Sequence, residues 1–128
     1  MTNSSLEKLK NLKPNHEFFI GIDSDGCAFD SMEIKHKECF IPSFIKHFNL
    51  QPISKFAREA SEFTNLYSKT RGANRYIAYL LALELLTNRK EVLERNFSVK
   101  GIDSFKQFIN SGNNLDNAGL QKLIDANP

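Results

Sequence analysis

Apolar side chains return at helical spacing through most of the chain. Ile41, Phe44, Ile45 and Phe48 recur at i, i+3, i+4 and i+7, and Phe56, Ala60, Phe63 and Tyr67 at i, i+4, i+7 and i+11. Each set marks one face of an amphipathic helix. Pro42 falls inside the first and predicts a kink or a new turn there, because proline donates no N–H and its ring crowds the preceding turn. A third helix is predicted from about Asn74 to Glu94, apolar nearly all round in its first half, which places it at the centre of a bundle. Ile102, Phe105, Phe108 and Ile109 form a fourth face, with Asp103 or Ser104 as N-cap and Gly112 as the C-terminal cap. A last helix is predicted to start at Asp116 and to bury Leu120, Leu123 and Ile124. Ser4 to Leu12 reads as a short amphipathic helix ahead of all of these.

One stretch breaks the helical pattern. Glu17 to Asp23 is an apolar run of strand type that opens F-F-I-G-I-D-S-D-G-C-A-F-D-S, residues 18 to 31. In an extended segment residues two apart point to the same side, so Asp23 and Asp25 can face one reacting centre, on a turn closed by Gly26. Two carboxylates so placed divide the labour of phosphoryl transfer. One can attack phosphorus and form an acyl phosphate, and the other can protonate the leaving oxygen and later deprotonate water. A calcium loop of the EF-hand kind also begins D-x-D, but here Cys27, Ala28 and Ile34 stand at the fifth, sixth and twelfth positions, where a ligand, a glycine and a bidentate glutamate are required. Asp30 with Glu33 three residues later predicts a capping box that opens a helix at Ser31.

At Asp23, Asp25, Gly26, Asp30 and Ser31 the chain resembles the haloacid dehalogenase-like (HAD) hydrolase superfamily, whose first motif is a strand followed by D-x-D-G-[T/V]-[L/V]-x-D-S. Cys27 departs from it, standing where Thr or Val is usual. The resemblance implies Asp23 as nucleophile and Asp25 as general acid and base. It also implies Mg2+, held by the Asp23 carboxylate and by the backbone carbonyl of Asp25. The presence of Asp25 favours phosphate chemistry over dehalogenation, which has no leaving oxygen to protonate. The long helical stretch directly after the motif resembles HAD members with a helical cap inserted at that point, and implies Cys27 to Asp30 as part of a hinge. Within such a cap the loop Ser68 to Arg75 joins two helices and offers Lys69, Arg71 and Arg75 as substrate contacts suited to an anion. A solvated polar loop is the plain alternative.

The other elements of that family are a strand ending in Ser or Thr, a lysine, and a second acidic pair, and none is found. Ser111 lies at a predicted helix end, Asp103 and Ser104 at a cap, and Asp116 and Asp125 are isolated. The expected fold is therefore mainly α: a helical cap-like bundle preceded by one short β-strand, the N-terminal part of a HAD-like α/β hydrolase with most of the core sheet missing. Residues 1–31 would hold the N-terminal helix, strand and catalytic turn, and 32–128 the cap. The enzyme reading is a Mg-dependent phosphohydrolase acting on a small phosphorylated metabolite through an aspartyl-phosphate, inactive alone; a mutase would use the same opening residues. The alternative is a non-enzymatic helical binding or self-association module with a vestigial D-x-D-G turn.

Composition narrows the classes further. A chain of 128 residues, 41% hydrophobic and 25% charged, has room for one domain with a real core. Its net charge of +2, with Lys and Arg scattered among Asp and Glu, offers no basic face that could track nucleic acid. Cys27 and Cys39 lack metal-site spacing and are expected as reduced thiols. Charges stand near the start where a signal peptide would need an apolar segment, and the run Tyr76 to Leu86, interrupted by Glu84, is far short of the ~20 residues that span a bilayer. A cytoplasmic protein without membrane contact is the expectation. In this chain alone Phe18 to Ile22 is expected either to fray or to pair with another copy through its exposed edge, and any uncovered core-facing surface predicts self-association.

Overall fold

The computed structural model describes residues 7–8, 10–13 and 15–127. The chain divides into two compact units, Met1–Asp30 and Ser31–Pro128. The described residues are mainly helical and contain no sheet.

In the second unit, α1 (residues 32–47) opens as α-helix at Met32–Ile34, widens to a π-helix over Lys35–Phe40 and returns to α over Ile41–His47. The predicted break at Pro42 is met by this widening. The N–H of Ile41 donates to the His36 carbonyl, five residues back, so the turn ahead of the proline ring has the room that an ordinary turn would deny it. The helix α2 (residues 51–67) runs from a 3-10 turn at Gln51–Ile53 through Ser54–Glu62 to a second π segment, Phe63–Tyr67. Next come α3 (Arg75–Thr87), the single turn α4 (Lys90–Leu93), α5 (Ile102–Asn110) and α6 (Asn117–Ala126).

The helix α3 packs against α2 on one side and α5 on another, as its apolar circumference predicts. Ile41, Phe44 and Ile45 of α1, Phe56, Ala57 and Ala60 of α2, and Ala82, Leu83 and Leu86 of α3 meet in the core, joined by Leu50, Ile53 and Val92. Burying each large aliphatic side chain contributes roughly 1.5–3 kcal/mol. Phe105 and Phe108 of α5 close a second, aromatic cluster with Tyr76, whose ring meets that of Phe108 edge-on at 5.0 Å.

Several expectations are corrected. The strand over Glu17 to Asp23 does not form: residues 18–23 have no regular structure, and Phe18, Phe19, Ile20 and Ile22 are at least 76% exposed. A strand needs a ladder partner, and the described residues offer none beyond an isolated bridge between Asp25 and Phe29. The predicted face of α2 is rotated, since Phe63 and Tyr67 are exposed while Ser61 and Thr64 are buried. The hydroxyl of Thr64 donates to the Ala60 carbonyl at 2.8 Å, which lets a polar side chain enter the core satisfied. The helix expected from Asn74 to Glu94 breaks at Asn88. Arg89 turns extended there, its guanidinium 2.6 Å from Glu59 and 4.6 Å from the Phe56 ring, and the new direction brings Val92 into the core.

The N-cap of α5 is Gly101, at φ +88, instead of Asp103 or Ser104, which lie inside the helix. Gly112 at φ +75 follows the end of α5 as expected. Asp116 caps α6 by accepting from the Gly119 N–H at 2.7 Å, but Leu120 and Leu123 are only half-buried and Ile124 is exposed. Of the expected N-terminal helix, residues 4–6 and 9 lie outside the described residues; Glu7, Lys8 and Lys10 are helical, and the Asn11 N–H donates to the Glu7 carbonyl at 3.0 Å. Among the described residues no helix is long and apolar enough to cross a membrane.

Candidate functional site

The acidic turn in the first unit is shaped by its backbone. The N–H groups of Ala28 and Phe29 donate to the carbonyls of Asp23 (3.3 Å) and Ser24 (2.9 Å), each five residues back, and the Gly26 N–H donates to the Phe29 carbonyl at 2.8 Å. These bonds double the chain back on itself. Gly26 sits at φ +74, a region where a side chain is strained, so the glycine of the motif has a conformational reason. Asp23 Oδ1 accepts from the N–H of Ser24 at 2.9 Å, which orients its carboxylate. Asp23, Asp25 and Asp30 are all exposed. Their oxygens are hard donors of the kind Mg2+ takes, and Mg2+ commonly keeps several waters and uses only one or two carboxylates. Among the described residues no group of three or more His, Cys, Asp or Glu stands together to enclose a metal.

The cationic loop of the second unit is ordered by its own hydrogen bonds. Ser68 Oγ lies 2.6 Å from Thr70 Oγ1 and accepts the Thr70 N–H, while Arg71 N–H reaches the Ser68 carbonyl and Ala73 N–H the Thr70 carbonyl. Gly72 turns the chain at φ +81. Its three cations do not converge. Arg75, the first residue of α3, lines a cavity of about 220 Å³ together with His36 and Asn65. Lys69 lines a separate apolar groove with Phe63, Leu81 and Leu85. Arg71 is exposed and lines neither.

Arg75 is the most firmly placed of the three. Its guanidinium donates to Asn117 Oδ1 at 2.6 Å and to the Tyr76 hydroxyl at 3.4 Å, and lies 5.0 Å from the Tyr76 ring. The Tyr76 hydroxyl itself donates to Asn117 Oδ1 at 2.7 Å. Asn74 holds the same corner: its Oδ1 accepts the Tyr76 N–H as the α3 cap, and its Nδ2 donates to the Leu115 carbonyl at 2.8 Å. The start of α6 is thereby fastened to the start of α3.

Two features escaped the sequence reading. His36 lines the same cavity as Arg75, and burial followed by the charge of Lys35 holds its imidazole below the usual histidine range. The spacing Met32, His36, Phe40 is the signal that could have marked this wall of α1. The second is a clasp at the start of α1. The Glu33 carboxylate takes Lys37 Nζ on one oxygen and the Tyr67 hydroxyl on the other, each at 2.8 Å, so it is occupied across to α2 and does not complete the expected capping box; no side-chain bond caps this helix at Ser31. The hydrogen bond from Lys37, then that from Tyr67, holds Glu33 below the usual carboxylate range; the same bond to Glu33 raises Lys37 and Tyr67. Cys27 and Cys39 are both free and exposed.

No protein-family model, curated protein or solved structure matches the chain significantly.

Proposed function

We propose that the chain supplies the first motif and the helical cap of a HAD-like phosphohydrolase acting on a small phosphorylated metabolite in the cytoplasm. The reading rests on one observation above all: the D-x-D-G segment closes into a hydrogen-bonded turn around Gly26, with both carboxylates exposed and a helical unit beginning at the next residue after Asp30. Asp23, oriented by the Ser24 N–H, is the group that attacks phosphorus. Asp25 is the group that hands a proton to the leaving oxygen and takes one from water. Mg2+ at this pair would offset the repulsion between the carboxylates and an anionic phosphoryl group. Arg75, Lys69 and Arg71 remain the proposed substrate contacts of the cap. The lysine and second acidic pair of the family must come from other residues, so these residues alone are inactive on this reading, because the electrostatic stabilisation those groups supply is worth several kcal/mol.

The test is a Mg2+-dependent assay of phosphate release from a panel of monoesters, run on the product of the complete reading frame that contains this chain. Release that disappears in Asp23→Asn supports the proposal. No release from the wild-type product, or full activity in the variant, overturns it.

A second reading, a helical module that self-associates, is favoured by a separate observation. Phe18 to Ile22 expose a run of apolar side chains, and their backbone N–H and C=O groups have no partner among the described residues. Such a segment is a template for pairing with another copy.

A further inference from the structure

The cavity shared by α1, α2 and the start of α3 has no role in the acidic turn, and lies wholly within the second unit. Two of the three helices that wall it leave α geometry in doing so: His36 and Phe40 belong to the π segment of α1, and Asn65 to that of α2. A π turn inserted in a helix is a common device at binding sites, since it widens the backbone and re-aims side chains. The wall is chemically one-sided. It carries the Arg75 guanidinium, the His36 imidazole and the Asn65 amide, with Met32, Phe40 and Tyr79 as apolar area, and no carboxylate among the described residues. The His36 imidazole is held below the usual histidine range by burial first and by the neighbouring Lys35 second. The Nδ1 of His36 is buried without a hydrogen-bond partner among the described residues. Finally, Arg75 is held in place by Asn117 and Tyr76, so its charge is positioned before any ligand arrives.

We propose that this cavity binds the anionic group of a small organic acid, a carboxylate or phosphate on a compact apolar body, with Arg75 as the charge partner and His36 and Asn65 as hydrogen-bonding walls. On the function proposed above, and resting on it, this anion is the non-reacting end of the substrate, which therefore carries a second negative group besides the phosphoryl group. A volume of about 220 Å³ limits that body to metabolite size.

Benzoate and phenyl phosphate are suitable probes, sharing one ring and differing in the anion, with benzyl alcohol as the neutral control. Each is titrated into the protein while the His36 ring and Arg75 Nε signals are followed by NMR. The expected result is saturable movement of both signals with at least one anion, and binding of the alcohol at least tenfold weaker. Arg75→Gln should weaken the anion at least tenfold. Ala73→Leu, a larger side chain at a lining position that makes none of the Arg75 contacts, should do the same and covers the case in which Arg75→Gln loosens α6. Anion binding that leaves His36 unmoved, no binding at all, or equal binding of the alcohol overturns the proposal. Asp23→Asn should bind the probes like wild type, so failure of the phosphatase reading and failure of this site are told apart.

Discussion

His36 shows how one residue couples local environment to the behaviour of the whole fold. Arg75 on α3 and Ser61 and Asn65 on α2 line the cavity with it, and Lys35 stands beside it on its own helix. With its folded pKa lowered by burial and by Lys35, the unfolded chain takes up the proton more readily. Stability therefore falls as pH drops below the unfolded histidine value of about 6.5, until the lower folded value is passed. The urea midpoint is expected to decline between about pH 7 and 5, and His36→Gln should flatten that part of the profile. An unchanged slope in the variant would assign the decline to another group. Glu33 acts in a different window. Its pKa is lowered by Lys37 first and Tyr67 second, so the contribution of the clasp is present above the usual carboxylate value and is lost as pH falls through the lowered one. Being open to solvent, it is also the part that salt should weaken.

At the scale of elements, the corner joining α3 and α6 concentrates the consequences of substitution. Asn74→Ala removes both the α3 cap and the tie to the Leu115 carbonyl. A loss of about 1–2 kcal/mol is expected, the sum of a lost cap and a lost docking bond. Hydrogen exchange should report it locally, as faster exchange of the Tyr76 amide. If only the first turn of α3 loosened while α6 kept its protection, the bond to Leu115 would be idle. Gly119 tests the same corner from the other side. A Cβ there would overlap the Asn114 carbonyl oxygen, which is backbone and can move only by shifting the turn ahead of α6. Gly119→Ala should cost about 1–3 kcal/mol by overpacking, read as a lowered melting temperature, although alanine is the better helix former. A neutral or stabilising result would show that this turn yields freely.

For the whole molecule, the division at Asp30 and Ser31 carries a direct expectation. The core residues from Ile41 to Val92 and the aromatic cluster from Tyr76 to Phe108 all lie in the second unit. A chain of residues 31–128 should thus keep the helical circular dichroism of the parent and melt cooperatively. A non-cooperative melt would mean that the first thirty residues are needed to complete the fold. The same truncation removes Phe18 to Ile22, whose side chains are exposed and whose backbone has no partner among the described residues, the features on which the proposed self-association rests. Sedimentation of the parent should accordingly depend on concentration, and that of residues 31–128 should not. Ile20→Lys in the parent should have the same effect, by placing a charge on the exposed run.

Periodicity is a property of neighbours within a few turns, so the sequence alone determined where most helices lie, the Asp116 cap, the glycine after α5, and the closed turn at Gly26. It also placed α3 at the centre, because only a buried helix is apolar nearly all round. What it could not determine were matters settled between segments remote in the chain. Thr64 is buried in place of Phe63 because its hydroxyl is satisfied by its own helix, a fact hidden by its polar side chain. Glu33 serves α2 instead of the cap because Tyr67 arrives beside it. The run Phe18 to Ile22 has the composition of a strand yet is none, since a strand exists only with a partner to bond. His36 and Arg75 share a cavity because two widened helices pack beside one loop, and no spacing along a single helix encodes that meeting.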